Sequence, residues 1–183
     1  MESKESDARV ILSRAVEVIP QSVELWLALA RTETPDKAKG VLNKARKAVP
    51  TSHEIWIAAG RLLEQEDGGG GGGAAIDRTI EAAVATLRKH QVHLTRQQWL
   101  GEAERCEAEG SPRTCEAIVK ATIALDVEED ERLDTWVGHA EEAEQKGCIG
   151  TARAILAYAL KVFPDKRDLW WKAALLEKAR GSR

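Results

Sequence analysis

Large rings are scarce in this 183-residue chain: aromatics make up 4% of it, and of the eight, all but one Tyr and one Phe are Trp. No apolar run approaches the roughly 20 residues that a membrane-spanning helix needs. The opening MESKESDARV lacks the apolar core of a secretory signal, so a secretory route is not expected. The three cysteines (Cys106, Cys115, Cys148) include no C-x-x-C pair, which argues for a reducing compartment and against structural disulfides or zinc. No useful length alternates with period two, so no strand is expected. A basic excess is also missing: the formal charge is −3, against nucleic acid as the dominant partner.

What the chain has is a phrase written three times. PQSVELWLALA at 20–30 returns as PTSHEIWIAAG at 50–60 and PDKRDLWWKAA at 164–174, each with Trp six residues after Pro and a small residue four after Trp. Upstream of each Pro lies an apolar series at steps of three and four, the stripe of an amphipathic helix: Ala8, Ile11, Leu12, Ala15, Val16, Ile19; Ala38, Val41, Leu42, Ala45, Val49; and Ala152, Ile155, Leu156, Ala159, Leu160, Phe163. The leading Ala stands twelve residues before Pro in all three copies. Pro stops that helix, since it offers no N–H and its ring clashes with the preceding turn. A second helix then begins, with Ser22 or Ser52 as cap.

Two looser copies lie between them. Thr95 and Gln98 stand at capping-box spacing before Trp99, and Ser111-Pro112 opens a helix in which Cys115 takes the small-residue place. The Trp ladder is 26, 56, 99, 136 and 170, and the chain reads as ten helices in five pairs. The expected fold is an all-α solenoid of about five stacked antiparallel helix pairs, because one pair cannot bury its own apolar stripe. Its expected core consists of Trp26, Ala30, Trp56, Gly60, Trp99, Ala103, Trp136, Ala140, Trp170 and Ala174, with the small residue admitting the neighbouring backbone.

Little in the chain points to chemistry. The glycine run Gly68–Gly73 is followed by AAIDRT rather than Lys-Ser or Lys-Thr, so it fails as a phosphate loop; residues 67–73 read as a flexible connector, the six glycines reaching roughly 13 Å. His90 and His93 mark a helix end rather than a metal site, and His53 and His139 stand singly. The cysteines have no legible base beside them and read as small buried groups. No catalytic, cofactor or metal site is expected, and no enzyme. Glu33 and Glu177, each seven residues after a Trp, suggest a structural contact within the repeat.

Trp26/Ala30/Glu33 and Trp170/Ala174/Glu177, each followed or preceded by an Ala-rich helix that ends in Pro, resemble the half-a-TPR (HAT) repeat family of RNA-processing scaffolds. Trp56, Trp99 and Trp136 keep the ring but carry Leu63, Cys106 and Ala143 in the Glu place, with Glu one residue later. Longer stretches, among them VLNKARKAVPTSHEIWIAA and ARAILAYALKVFPDKRDLWWKAALLEK, resemble a spliceosomal member of that family over nearly the whole chain outside the glycine run. The resemblance implies one repeat array over 1–183, an internal piece of a longer nuclear scaffold that bridges the U5 and U4/U6 particles in tri-snRNP assembly. It implies other tri-snRNP proteins as partners, with RNA contact indirect or weak and no small-molecule substrate; since no polar cap is evident at either end of the array, self-association through truncated ends is expected. Direct RNA binding in another RNA-processing pathway is the alternative.

Charge distribution bears on that choice. Residues 95–147 hold fourteen acidic and six basic side chains, whereas residues 148–183 hold three acidic and eight basic. An acidic face fed by Glu102, Glu109, Glu128, Glu129 and Glu141 would repel phosphate and attract Lys/Arg-rich protein segments.

Overall fold

The computed structural model describes residues 2–68 and 72–181. Among the described residues there are ten helices and no strand: α1 (Glu2–Val18), α2 (Val23–Thr32), α3 (Pro35–Ala48), α4 (His53–Asp67), α5 (Gly73–Lys89), α6 (Arg96–Ala108), α7 (Pro112–Thr122), α8 (Arg132–Gln145), α9 (Ile149–Val162) and α10 (Arg167–Gly181). The chain falls into two compact units, 1–93 with α1–α5 and 94–183 with α6–α10. In the first, each helix packs on the next, and α2 also meets α4. In the second, α6 pairs with α7 and α8 with α9, while α9 also packs against α6, α7 and α10. This is the helix-pair packing of an α-solenoid, as the repeat predicts.

The Pro-ended helices finish alike. Ile19, Val49 and Phe163, the residues before each Pro, donate their N–H groups to Ala15, Ala45 and Ala159, each at 2.8 Å. Two residues past each Pro, the N–H groups of Ser22, Ser52 and Lys166 then close a turn onto the carbonyls of Ile19, Val49 and Phe163, each at 3.3 Å. Ser22 and Ser52 hold the cap position expected of them, yet neither hydroxyl bonds its helix. The Pro turn sets the entry instead. At α6 the capping box forms: the Thr95 hydroxyl accepts from the Gln98 N–H, and the Thr95 N–H donates to Gln98 Oε1 at 2.8 Å.

Residues 69–71, the middle of the connector expected over 67–73, lie outside the described residues. Gly68 closes α4 in the left-handed region (φ 56°), a conformation for which glycine has no Cβ penalty. On the far side, the Gly72 N–H donates to the Asp67 carboxylate.

The core of the first unit gathers Val16 of α1, Trp26 and Leu29 of α2, Leu42 and Ala45 of α3, and Ile55 of α4. The recurrent Pro also has a polar use. The Trp26 indole N–H donates to the carbonyl of Pro20 at 2.9 Å, and that of Trp170 to the carbonyl of Pro164 at the same distance. A spacing of six thus lets the turn that breaks one helix anchor the ring of the next, satisfying the indole as the ring is buried. Trp56 departs from this pattern: its indole N–H has no hydrogen-bond partner, and the Arg46 guanidinium lies 4.6 Å from its ring centroid instead.

Trp26, Trp56, Trp99 and Trp136 are buried, as are Gly60, Ala103 and Ala140, and Ala30 is half-buried. Trp136 donates to the Ile123 carbonyl at 3.0 Å and meets Tyr158 edge-on, centroids 5.3 Å apart. The fifth copy differs from expectation. Trp170 is 56% exposed and Ala174 is exposed; Leu169 and Leu176 are the residues α10 buries. The same local anchor holds Trp170, but among the described residues no helix covers its ring.

Glu33 and Glu177 make the same contact in their two copies. Arg9 Nε lies 3.6 Å from Glu33, and Arg153 Nε lies 2.6 Å from Glu177; each Arg directly follows the leading Ala of the Pro-ended helix. Lys39, in the same place after Ala38, pairs at 2.5 Å with Glu66, so in that copy the acid has moved down the helix. Truncating Trp26 to Ala should cost about 3–5 kcal/mol, whereas Trp170→Ala should cost less than about 1 kcal/mol, as read by urea denaturation. Equal losses at the two positions would mean that burial does not separate the copies.

Candidate protein-interaction surface

All five acidic residues expected to form a face belong to the second unit, but they are spread over three elements. Glu102 lies on α6 and Glu109 just after it, Glu128 and Glu129 on the exposed α7–α8 connection, and Glu141 on α8. Glu109 is engaged by Arg105 at 3.3 Å and Glu141 by Lys172, so part of the charge is compensated within the chain. Such exposed pairs contribute little to stability and leave the acids open to exchange partners.

Two acids that the sequence reading passed over do more. Glu107 lies across the start of α9, accepting the N–H groups of Gly150 at 2.6 Å and Thr151 at 2.8 Å and the Thr151 hydroxyl at 2.8 Å. A carboxylate from another helix thus satisfies orphan donors at the positive end of α9. A Cβ on Gly150 would stand 2.9 Å from the Glu107 oxygen, so a larger residue there would push the carboxylate aside. Glu104 pairs with Lys146 at 3.1 Å. Both tie α6 to residues some forty positions later, a distance at which no local spacing signals the contact.

Beside these contacts a groove of about 750 Å³ runs along α9, lined by Gly150, Ala154 and Ala157 and by charges of both signs, Glu116 and Glu144 with Arg153 and Arg180. Small side chains there permit close approach of a backbone. The exposed apolar groups of this unit lie on α10 and at the end of α9: Trp170, Trp171, Leu175 and Val162.

The titratable groups are structural in character. Cys115 is buried with Sγ 3.3 Å from the Thr151 hydroxyl; burial pushes its thiol up to about 12, against the Thr151 hydrogen bond and with the field of Glu107 adding. Burial likewise raises the Cys148 thiol, with Glu104 and Glu107 contributing. Neither is an activated nucleophile. His90 ends α5 at its C-cap position. His139 accepts at Nε2 from Arg96 Nε at 3.1 Å, while Arg96 also donates to the Leu125 carbonyl at 3.0 Å. Burial, then the Arg96 charge, hold His139 below its ordinary 6.5, with Lys146 adding and Glu142 opposing.

Among the described residues, no helix is long and apolar enough to cross a membrane. No family model matches the chain. Part of it is 46% identical over 99 residues to Pre-mRNA-processing factor 6 of Homo sapiens, covering 54% of this chain and 10% of that protein. The resemblance is to pre-mRNA splicing proteins. Pre-mRNA-splicing factor prp1 of Schizosaccharomyces pombe is 43% identical over 107 residues, 58% of this chain and 12% of that protein. Protein STABILIZED1 of Arabidopsis thaliana is 47% identical over 110 residues, 60% of this chain and 10% of that protein. The aligned span is therefore narrower than the nearly chain-long likeness read from the sequence. It amounts to about a tenth of the length of these relatives.

Since folding lowers the His139 pKa, its contribution to stability is present above the ordinary histidine range and is lost as the pH falls through its lowered folded value. Urea midpoints measured down a pH series should fall more steeply for the wild type than for His139→Gln, which cannot charge; parallel curves would remove His139 from that role. In a thiol-labelling experiment on the native chain, Cys148 should react slowly, and Cys106 and Cys115 only once urea exposes them. Fast labelling of Cys115 would contradict its burial.

Proposed function

We propose that this chain is a non-catalytic helical-repeat scaffold of the pre-mRNA splicing machinery, acting in the nucleus through protein–protein contacts. The observation that carries it is 43–46% identity to a pre-mRNA-processing factor from human and a pre-mRNA-splicing factor from fission yeast, in a chain folded as stacked helix pairs. Such stacks present extended surfaces suited to binding partners. In finer terms, the segment belongs to one repeat array over 1–183 that helps bridge the U5 and U4/U6 particles, with other tri-snRNP proteins as its partners. The acidic excess of residues 95–147 supports proteins rather than RNA as the ligands, because a phosphate backbone demands aligned cations.

The fragment should capture tri-snRNP proteins from nuclear extract after nuclease treatment, with capture falling as salt shortens the screening length. Reversing Glu128, Glu129 and Glu141 to Lys should reduce capture several-fold, mostly through the association rate. Loss of all capture on nuclease treatment, together with a gel shift of RNA by the purified chain, would replace this reading with direct RNA binding.

A further inference from the structure

We propose that the pocket between α6 and α8 seats one arginine side chain of a basic protein segment that crosses the acidic stretch. This rests on the reading of residues 95–147 as a surface for Lys/Arg-rich proteins, and it names the anchor. Helices α6 and α8 both pack on α9, and two polar bridges join them. At one end Arg96 Nε donates to His139 Nε2 at 3.1 Å. At the other, Lys146 Nζ donates to both carboxylate oxygens of Glu104, at 3.1 and 3.2 Å. The α6 wall between them, from Gln97 to Glu104, runs for about 10 Å of helix. Here lies a pocket of about 210 Å³. Leu100 and Ile155, both buried, form its floor. Gly101 leaves the α6 wall low, since a Cβ there would meet nothing within 4 Å. No wall belongs to the first or last helix, so the pocket does not depend on where the chain begins or ends.

Size and charge select the occupant. Small-molecule sites enclose about 300–1,000 Å³, so this smaller one suits a single long side chain instead. Two carboxylates, those of Glu104 and Glu142, line it against one ammonium, that of Lys146. Arg96, the next cation, is committed to His139 and the Leu125 carbonyl. His139 adds no charge at neutral pH, because burial holds it below its ordinary 6.5. Lys146 lies across Glu104, whereas Glu142 is 60% exposed and stands 3.7 Å from the uncharged His139 ring. Even Glu104 keeps free lone pairs, since two carboxylate oxygens accept more bonds than one ammonium supplies. A guanidinium matches this arrangement. Its planar fork reaches carboxylates on both walls, while its methylene stem covers the Leu100 and Ile155 floor. Lysine is a compact, strongly hydrated point charge and satisfies one wall at a time. An arginine held in a recess, ringed by weaker contacts, is the kind of residue that anchors a protein interface.

Fluorescence anisotropy tests this with two labelled peptides, glycine alternating with arginine or with lysine, equal in length and charge. The arginine peptide should bind the wild-type chain about tenfold more tightly, the worth of one charge-assisted pair. Gly101→Leu should abolish that preference by filling the pocket, while its circular dichroism stays helical because leucine favours the helix over glycine. Gly101→Gln fills the same space where the leucine variant loses helicity. Glu142→Gln should weaken the arginine peptide several-fold, whereas Glu128→Gln, on the α7–α8 connection, should weaken both peptides alike. Equal affinities for the two peptides, or an arginine preference that survives both Gly101 variants, would overturn the proposal. Nuclease-resistant capture of nuclear proteins without any arginine preference would sink the pocket and leave the scaffold reading standing. A gel shift of RNA with the arginine preference intact, and lost in Gly101→Leu, would do the reverse.

Discussion

Everything in this chain depends on covering a Trp ring with a neighbour from the next helix pair. A helix of ten to fifteen residues is marginal alone in water, and its stability comes from burying an apolar face rather than from propensity. The indole supplies the largest area available for that purpose, and its one polar group must be satisfied as it goes under. At Trp26 both needs are met at once, by the carbonyl of Pro20 and the side chains of α3 and α4. At Trp170 only the first is met, and the ring stays in water. Comparing the two separates the local part of the repeat, the Pro turn and its anchor, from the part that requires a neighbour.

The polar contacts follow a similar division. The Arg or Lys after each leading Ala pairs with an acid on the Trp helix in three copies, holding partners within one helix pair. In the second unit α7 carries Cys115 followed by Glu116, so that cation is missing, and the ties become longer-ranged: Glu107 to the start of α9, Glu104 to Lys146, and Arg96 to His139 and Leu125. This unit combines the acidic stretch, the groove along α9 and the apolar face of α10. Those features suit a scaffold, in which packing residues carry the fold and solvent-facing charges and rings remain for partners.

Much was legible in the residues because the repeat is a local code. Spacing of three and four, the Pro that ends one helix and the Trp six residues on determined helix type, number and pairing, and marked Trp26, Trp56, Trp99 and Trp136 for the interior. The Glu seven residues after Trp was readable as a structural contact for the same reason, since its partner sits at a constant offset. Only the tertiary structure decided what a spacing cannot encode. Trp170 and Ala174 carry the full motif yet lie exposed, because burial depends on which element lies above a ring. Ser22 and Ser52 stand at cap positions without capping, because the Pro turn already directs the entry. Glu107 reaches an N-terminus more than forty residues away, a contact created by the packing of α6 on α9 and written nowhere in either helix alone.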